Sequence, residues 1–237
     1  LAPVAEVYDV DVCGGHAANG DYHHHFNSDC LANMVGDEGT AHSPIYGYAA
    51  DGYAIYGPWH SEGVLAKSSW AVRDYDDASS ETGCGEAGVR DCVLVDEFDI
   101  SQGFEDATSG PSTSDQYTSL SGNTFTASAG FFYEDFYWDS ALTDLGGAYL
   151  DQHNGHDSGD DLGYHYHVTI TLDDEDTQTP AFPYTIGPRF YGKLQDNSIA
   201  STDTTGTPGG APGGEAPDLP FCEADQEPEM GVCIPAM

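Results

Sequence analysis

Hydrophobic and polar residues alternate with period two in several stretches of this chain, and no long stretch shows the period of about 3.6 residues that marks an amphipathic helix. The clearest run is Tyr164 to Leu172. There Tyr164, Tyr166, Val168, Ile170 and Leu172 fall on one face, and His165, His167, Thr169 and Thr171 on the other. Val4 to Val12 reads as a second strand, with Tyr8, Val10 and Val12 sharing a face. Val93 to Ile100 and Thr124 to Tyr133 are two more. The 29 glycines and 13 prolines are spread throughout, which favours turns and long irregular connections. The pattern predicts a mostly β protein, a single irregular β-sandwich-like domain with long loops over residues 1–195.

Residues 196–220 differ in kind. The run Ser201 to Pro220 is built from Ser, Thr, Pro and Gly and reads as a linker that offers sites for O-linked sugar. No Asn-x-Ser/Thr acceptor occurs in the chain. Residues 221–237 hold Cys222 and Cys233 and read as a small disulfide-stapled tail.

Charge narrows the functions available. The chain of 237 residues carries 41 acids against 5 Lys and Arg, a formal charge of −36. Phosphate backbones and anionic membrane surfaces both need a basic face, so nucleic acid and lipid headgroups are excluded as partners. No apolar run approaches the roughly 18 residues of a membrane span, so membrane insertion is not expected. With 39% hydrophobic and 12% aromatic residues the chain still has the material for a core, one rich in Tyr and Phe. Self-repulsion must be offset by salt, cations or a close partner. The chain begins at Leu1 with no visible signal peptide, which reads as a processed or partial chain.

The six cysteines contain no Cys-x-x-Cys pair. Their clustering favours three local bridges, Cys13–Cys30, Cys84–Cys92 and Cys222–Cys233, among the pairings that six cysteines allow. Disulfides imply an oxidising, extracellular or cell-surface location.

Eight of the ten histidines fall in two short segments of matching pattern. The first runs from Asp11 through Gly15-His16 to Tyr22-His23-His24-His25, and the second from Asp151 through Gly155-His156 to Tyr164-His165-Tyr166-His167. Both read Asp-x-x-x-Gly-His, a Gly-containing loop, then Tyr-His-x-His, the signature of an internal repeat. On a strand, histidines two apart share a face, so His23 pairs with His25 and His165 with His167. His16 and His156 would each supply a third nitrogen. Three imidazoles with an open position suit Zn²⁺ or Cu²⁺. Asp11 and Asp151 read as partners of such a site or as turn caps.

Further segments carry a resemblance. Gly163-Tyr-His-Tyr-His167, the stretch from His42-Ser-Pro-Ile through Asp51-Gly52 to Ile55-Tyr-Gly57, Glu134-Asp135-Phe-Tyr137, Leu150-Asp-Gln-His-Asn-Gly155 and Phe182-Pro-Tyr-Thr-Ile-Gly187 together resemble the YHYH-domain family, secreted proteins of poorly known function. The resemblance covers roughly residues 9–192. His153 departs from it, since the family often has Cys there. Asp51-Gly52 reads as a tight turn. His42 reads as a hydrogen-bonded loop residue or as a seventh site histidine.

Asp-rich clusters at Asp74, Asp76 and Asp77, at Asp157, Asp160 and Asp161, and at Asp173, Asp174, Glu175 and Asp176 offer oxygens to Ca²⁺, the second of them best placed. No nucleophile elbow, P-loop or dinucleotide fingerprint is present. The expected function is therefore a secreted, acidic structural subunit of a fibre or surface layer, self-assembling through its N-terminal strand or C-terminal tail, with metal-binding His-x-His motifs. The alternative is a Zn- or Cu-dependent enzyme or metal carrier.

Overall fold

The computed structural model of the protein describes residues 10–18, 21–95, 98, 104–108, 110–118, 122–159, 161–175, 177–194, 226–229 and 232–235. Residues 4–9 of the expected strand at Val4–Val12, the linker and most of the tail lie outside them, and residues 10–12 form a bend and turn instead of a strand.

The described chain is mostly β, as the alternation predicts. Its elements are β1 (Gly15–Ala18), β2 (Asp21–His24), α1 (Asp29–Val35), β3 (Ile45–Tyr48), β4 (Ala54–Tyr56), β5 (Trp59–Ser61), β6 (Val64–Leu65), β7 (Trp70–Val72), β8 (Cys92–Val95), β9 (Phe104–Thr108), β10 (Gln116–Thr118), β11 (Thr124–Thr126), β12 (Phe136–Trp138), α2 (Ser140–Thr143), β13 (Gly155–Asp157), β14 (Tyr164–His167), β15 (Ile170–Leu172), β16 (Gln178–Pro180), β17 (Gln226–Glu229) and β18 (Val232–Pro235). Among the described residues they form seven two-stranded sheets and one four-stranded sheet, ordered β13-β14-β4-β3, with no closed barrel. No helix of the described residues is long and apolar enough to cross a membrane.

The four-stranded sheet positions the histidines. β14 lies between β13, antiparallel with His156 opposite His165, and β4, parallel with Tyr166 against Ile55 and His167 against Tyr56. β3 and β4 form a hairpin closed at Asp51-Gly52, where Gly52 has φ +92 and its N–H donates to the Ala49 carbonyl. That is the tight turn expected there.

The long run Tyr164–Leu172 is not one strand. It breaks after His167, because the Val168 N–H donates to Tyr56 O while the Thr169 N–H turns to Tyr184 O. The chain then enters a second sheet as β15, paired with β16. Alternation along the sequence continues through such a crossing, so it does not reveal it. Thr124–Tyr133 is likewise shorter than expected: β11 covers Thr124–Thr126, and the rest is a turn leading to a short 3-10 segment at Tyr133–Asp135.

The core is aromatic. Trp70, Phe98, Phe136 and Phe182 form a buried cluster flanked by Tyr133, Trp138 and Tyr184, with Phe136 stacked on Phe182 at 4.1 Å. Beside it Asp135, fully buried, meets Arg90 in a two-pronged ion pair, Nε to Oδ1 at 2.7 Å and Nη2 to Oδ2 at 3.0 Å. Arg90 also donates to the carbonyls of Pro111 and Ser128, and Asp135 accepts the N–H groups of Gly130 and Phe132. This satisfaction on every side is what allows both charges to be buried.

Cys13–Cys30 and Cys84–Cys92 are bonded as the spacing favours, with Cα separations of 5.3 and 5.5 Å. Cys222 lies outside the described residues, and the Cys222–Cys233 pairing with it.

Candidate metal centre

The two histidine segments fold into the same hairpin. In the first, Asp11 Oδ1 accepts the N–H groups of Cys13 and Gly15, Asp11 Oδ2 accepts the Tyr22 hydroxyl at 2.8 Å, and the Asp11 N–H donates to Gly15 O. In the second, Asp151 Oδ1 accepts from His153 and Gly155, the carboxylate accepts the Tyr164 hydroxyl at 3.0 Å, and the Asp151 N–H donates to Gly155 O. His16 faces His23 across β1–β2 as His156 faces His165 across β13–β14. Each hairpin needs a glycine before its first histidine. A Cβ on Gly15 would lie 2.6 Å from the Tyr22 hydroxyl, and one on Gly155 would lie 2.5 Å from the Tyr164 hydroxyl. The repeat seen in the sequence is thus a repeat of atoms. The aspartates bind their own turns and tyrosines, and burial pushes the Asp151 carboxyl up against the lowering pull of the His153 and Gly155 N–H groups.

The first hairpin brings together the expected trio His16, His23 and His25, whose ligand nitrogens all lie within 4.8 Å of one another. His25 Nε2 and His16 Nε2 are 2.9 Å apart. His23 is exposed and the other two are half-buried.

The second hairpin builds a larger centre. Its three histidines, expected to form one trio, are divided between two. His165 and His167 meet His42, and His156 and His167 meet His60, each trio again within 4.8 Å. His42 precedes β3 and His60 lies on β5, the two segments being joined by Ser43 N–H to Trp59 O and Trp59 N–H to Ser43 Oγ. His42 is therefore both a hydrogen-bonded loop residue and a member of the cluster. His60 carries no local motif. Its signal is arithmetic, since it is one of just two histidines left outside the twin segments.

Backbone carbonyls settle which nitrogen each ring offers. A carbonyl oxygen can only accept, so a ring nitrogen in contact with one carries the proton. His42 Nδ1 donates to Ser43 O at 2.9 Å, His165 Nδ1 to Gly163 O at 2.7 Å, and His167 Nδ1 to Gly57 O at 2.7 Å. All three rings are then left to offer Nε2 to the centre. Those of His42 and His165 stand 3.2 Å apart, and that of His167 is buried with no hydrogen-bond partner. His165 and His167 are fully buried. Burial holds His167 well below the ordinary histidine pKa, and His156, His165 and His42 push the same way. Three imidazoles with Nε2 turned inward, each oriented by a carbonyl behind it, could supply the donor set of a metal site.

Gly57 closes this arrangement. It presents the carbonyl to His167, and a Cβ there would lie 2.5 Å from both Asp37 Oδ2 and the Tyr46 ring. Tyr56 packs on the same rings, 4.8 Å from His165 and 4.9 Å from His42. The other face of β14 is a separate tyrosine cluster, in which Tyr166 donates to Asp51 Oδ2 and Tyr164 stacks on Tyr191 at 3.5 Å.

The described aspartates of the expected clusters join none of the histidine groups. Asp157 Oδ1 accepts the Gly159 N–H, Asp161 is exposed, and Asp160 lies outside the described residues. Asp74 and Asp173 accept backbone N–H groups of their own turns. Among the described residues, every group of three or more side chains within ligand reach of one another is made of histidines. His153, where the resembling family often has Cys, bonds Arg189 O through Nδ1.

A family model described as YHYH protein matches residues 2–173. No curated protein and no solved structure matches the chain. The matched region contains both hairpins and all five histidines of the buried centre, while Phe182–Gly187 lies beyond it. The chain belongs to the YHYH protein family.

Proposed function

We propose that this protein is an extracellular, acidic structural protein that holds a transition-metal ion, Zn²⁺ or Cu²⁺, at its buried histidine centre and serves as a subunit of a fibre or surface layer. The observation that carries the metal reading is the convergence of three Nε2 atoms, of His42, His165 and His167, each fixed by a carbonyl on Nδ1. Imidazole-only ligation suits Zn²⁺ and Cu²⁺, whereas Ca²⁺ and Mg²⁺ want oxygen. The Cys13–Cys30 and Cys84–Cys92 bonds support an oxidising location. The assembly reading is supported by short two-stranded sheets, whose outer edges suit strand addition, and by an acidic chain that bound cations would screen.

Elemental analysis of the natively purified protein tests the metal, and negative-stain electron microscopy before and after chelation tests the assembly. Stoichiometric Zn or Cu and filaments that disperse on chelation are the expected results. Metal-free protein, or single particles in both samples, would count against the respective half of the proposal. A second reading, a metal-dependent enzyme, is favoured by the half-buried positions of His42, His60 and His156, which leave an ion within reach of water. Metal-dependent turnover lost in His165→Ala would favour it.

A further inference from the structure

The five imidazoles of the buried centre divide into two overlapping trios, and the division is informative. One trio is His42, His165 and His167; the other is His60, His156 and His167. An ion bound by imidazole sits about 2.0–2.1 Å from each nitrogen and in a structural site takes four ligands, so a single ion has no use for five. Two nitrogens on one ion at that distance are roughly 3 Å apart, and His42 Nε2 and His165 Nε2 stand at 3.2 Å with both Nδ1 atoms committed to carbonyls. They are a ready pincer. His60 and His156 form a second pair that meets the first trio at His167, their rings 5.2 Å apart. His167 belongs to both trios but has one nitrogen to give, because its Nδ1–H is spent on Gly57 O. It can serve one ion, not two.

We propose that the centre is dinuclear and unequal: one ion held by His42, His165 and His167, and a second by His60 and His156. The second ion keeps more open positions, which water or a small anion fills, and it exchanges faster. This rests on the metal reading above and goes beyond it in number and in kind of site.

The first hairpin is removed from the count by the background variant His16→Ala/His23→Ala/His25→Ala, whose positions are exposed or half-buried. Full-length protein in that background is titrated with Cu²⁺ and read by elemental analysis and electron paramagnetic resonance. The expected result is two Cu²⁺ per chain with spin–spin coupling between them. His60→Ala should fall to one Cu²⁺ and lose the coupling while keeping the tight site, and His42→Ala should weaken the tight site while leaving the weaker one. One uncoupled Cu²⁺ per chain, unchanged by His60→Ala, would overturn the dinuclear assignment and leave the metal reading intact. No Cu²⁺ in the background variant, with a native circular dichroism spectrum, would overturn both.

Discussion

The carbonyl of Gly57 accepts a hydrogen bond from His167 Nδ1 at 2.7 Å, and so decides which nitrogen of a fully buried ring faces the centre. A backbone group thereby does the work often left to a carboxylate behind a metal-binding imidazole. Gly57→Ala tests the relation. Its methyl would press on Asp37 and the Tyr46 ring, moving the carbonyl. We expect metal affinity to fall by about 10–100-fold and stability by about 1–3 kcal/mol. Competition with a chromophoric chelator and denaturant unfolding check the two.

Metal uptake should release a proton. With both Nδ1 atoms donating to carbonyls, two neutral rings at His42 and His165 would set lone pair against lone pair at 3.2 Å. A shared proton relieves this in the empty centre, and an ion replaces it. Binding heats measured in buffers of different ionisation enthalpy should show about one proton leaving per ion at neutral pH. Heats independent of buffer would refute the shared proton.

Acid should loosen the metal-free fold. Burial is the first cause of the depressed His167 pKa. A group whose folded pKa lies below its unfolded value, near about 6.5, contributes fully above that value, and the contribution is lost as pH falls toward the folded pKa. The melting temperature of chelated protein should therefore drop below about pH 6.5, and the slope should lessen in His167→Gln. Identical slopes in the two proteins would place the loss elsewhere.

Asp151→Asn and Asp11→Asn should separate the two hairpins. The Asp151 carboxylate holds two N–H groups and the Tyr164 hydroxyl in a partly buried turn, so its loss should cost about 1–3 kcal/mol. Asp11 makes the matching bonds in an exposed turn and should shift the melting temperature less. Thermal scans of the two variants decide it.

Arg90→Ala should be among the most damaging single changes. It strands Asp135, which is fully buried, and should cost about 3–5 kcal/mol. Asp135→Asn in that background should recover part of the loss, read from denaturant midpoints.

Local chemistry was legible in the sequence, and long-range company was not. The Asp-x-x-x-Gly-His and Tyr-His-x-His patterns lie within single hairpins, so His16, His23 and His25 could be grouped from spacing, and two disulfides from proximity. The second group required β14 to pair in parallel with β4. That pairing carries His42 and His60 to His165, His156 and His167 from far along the chain, and no spacing rule reports it. The break after His167 was hidden for the same reason, because alternation is indifferent to which sheet a residue joins.

The centre also sets a conflict between folding and use. His165 and His167 occupy fully buried positions on an inner strand of the largest described sheet, where apolar side chains of similar volume would pack without burying ring nitrogens. Leucine at both positions should leave a tougher protein that no longer takes up metal. Selection for robustness alone would erase these histidines, so on the proposed reading β14 is a strand kept below its attainable stability for the sake of the ion it would hold.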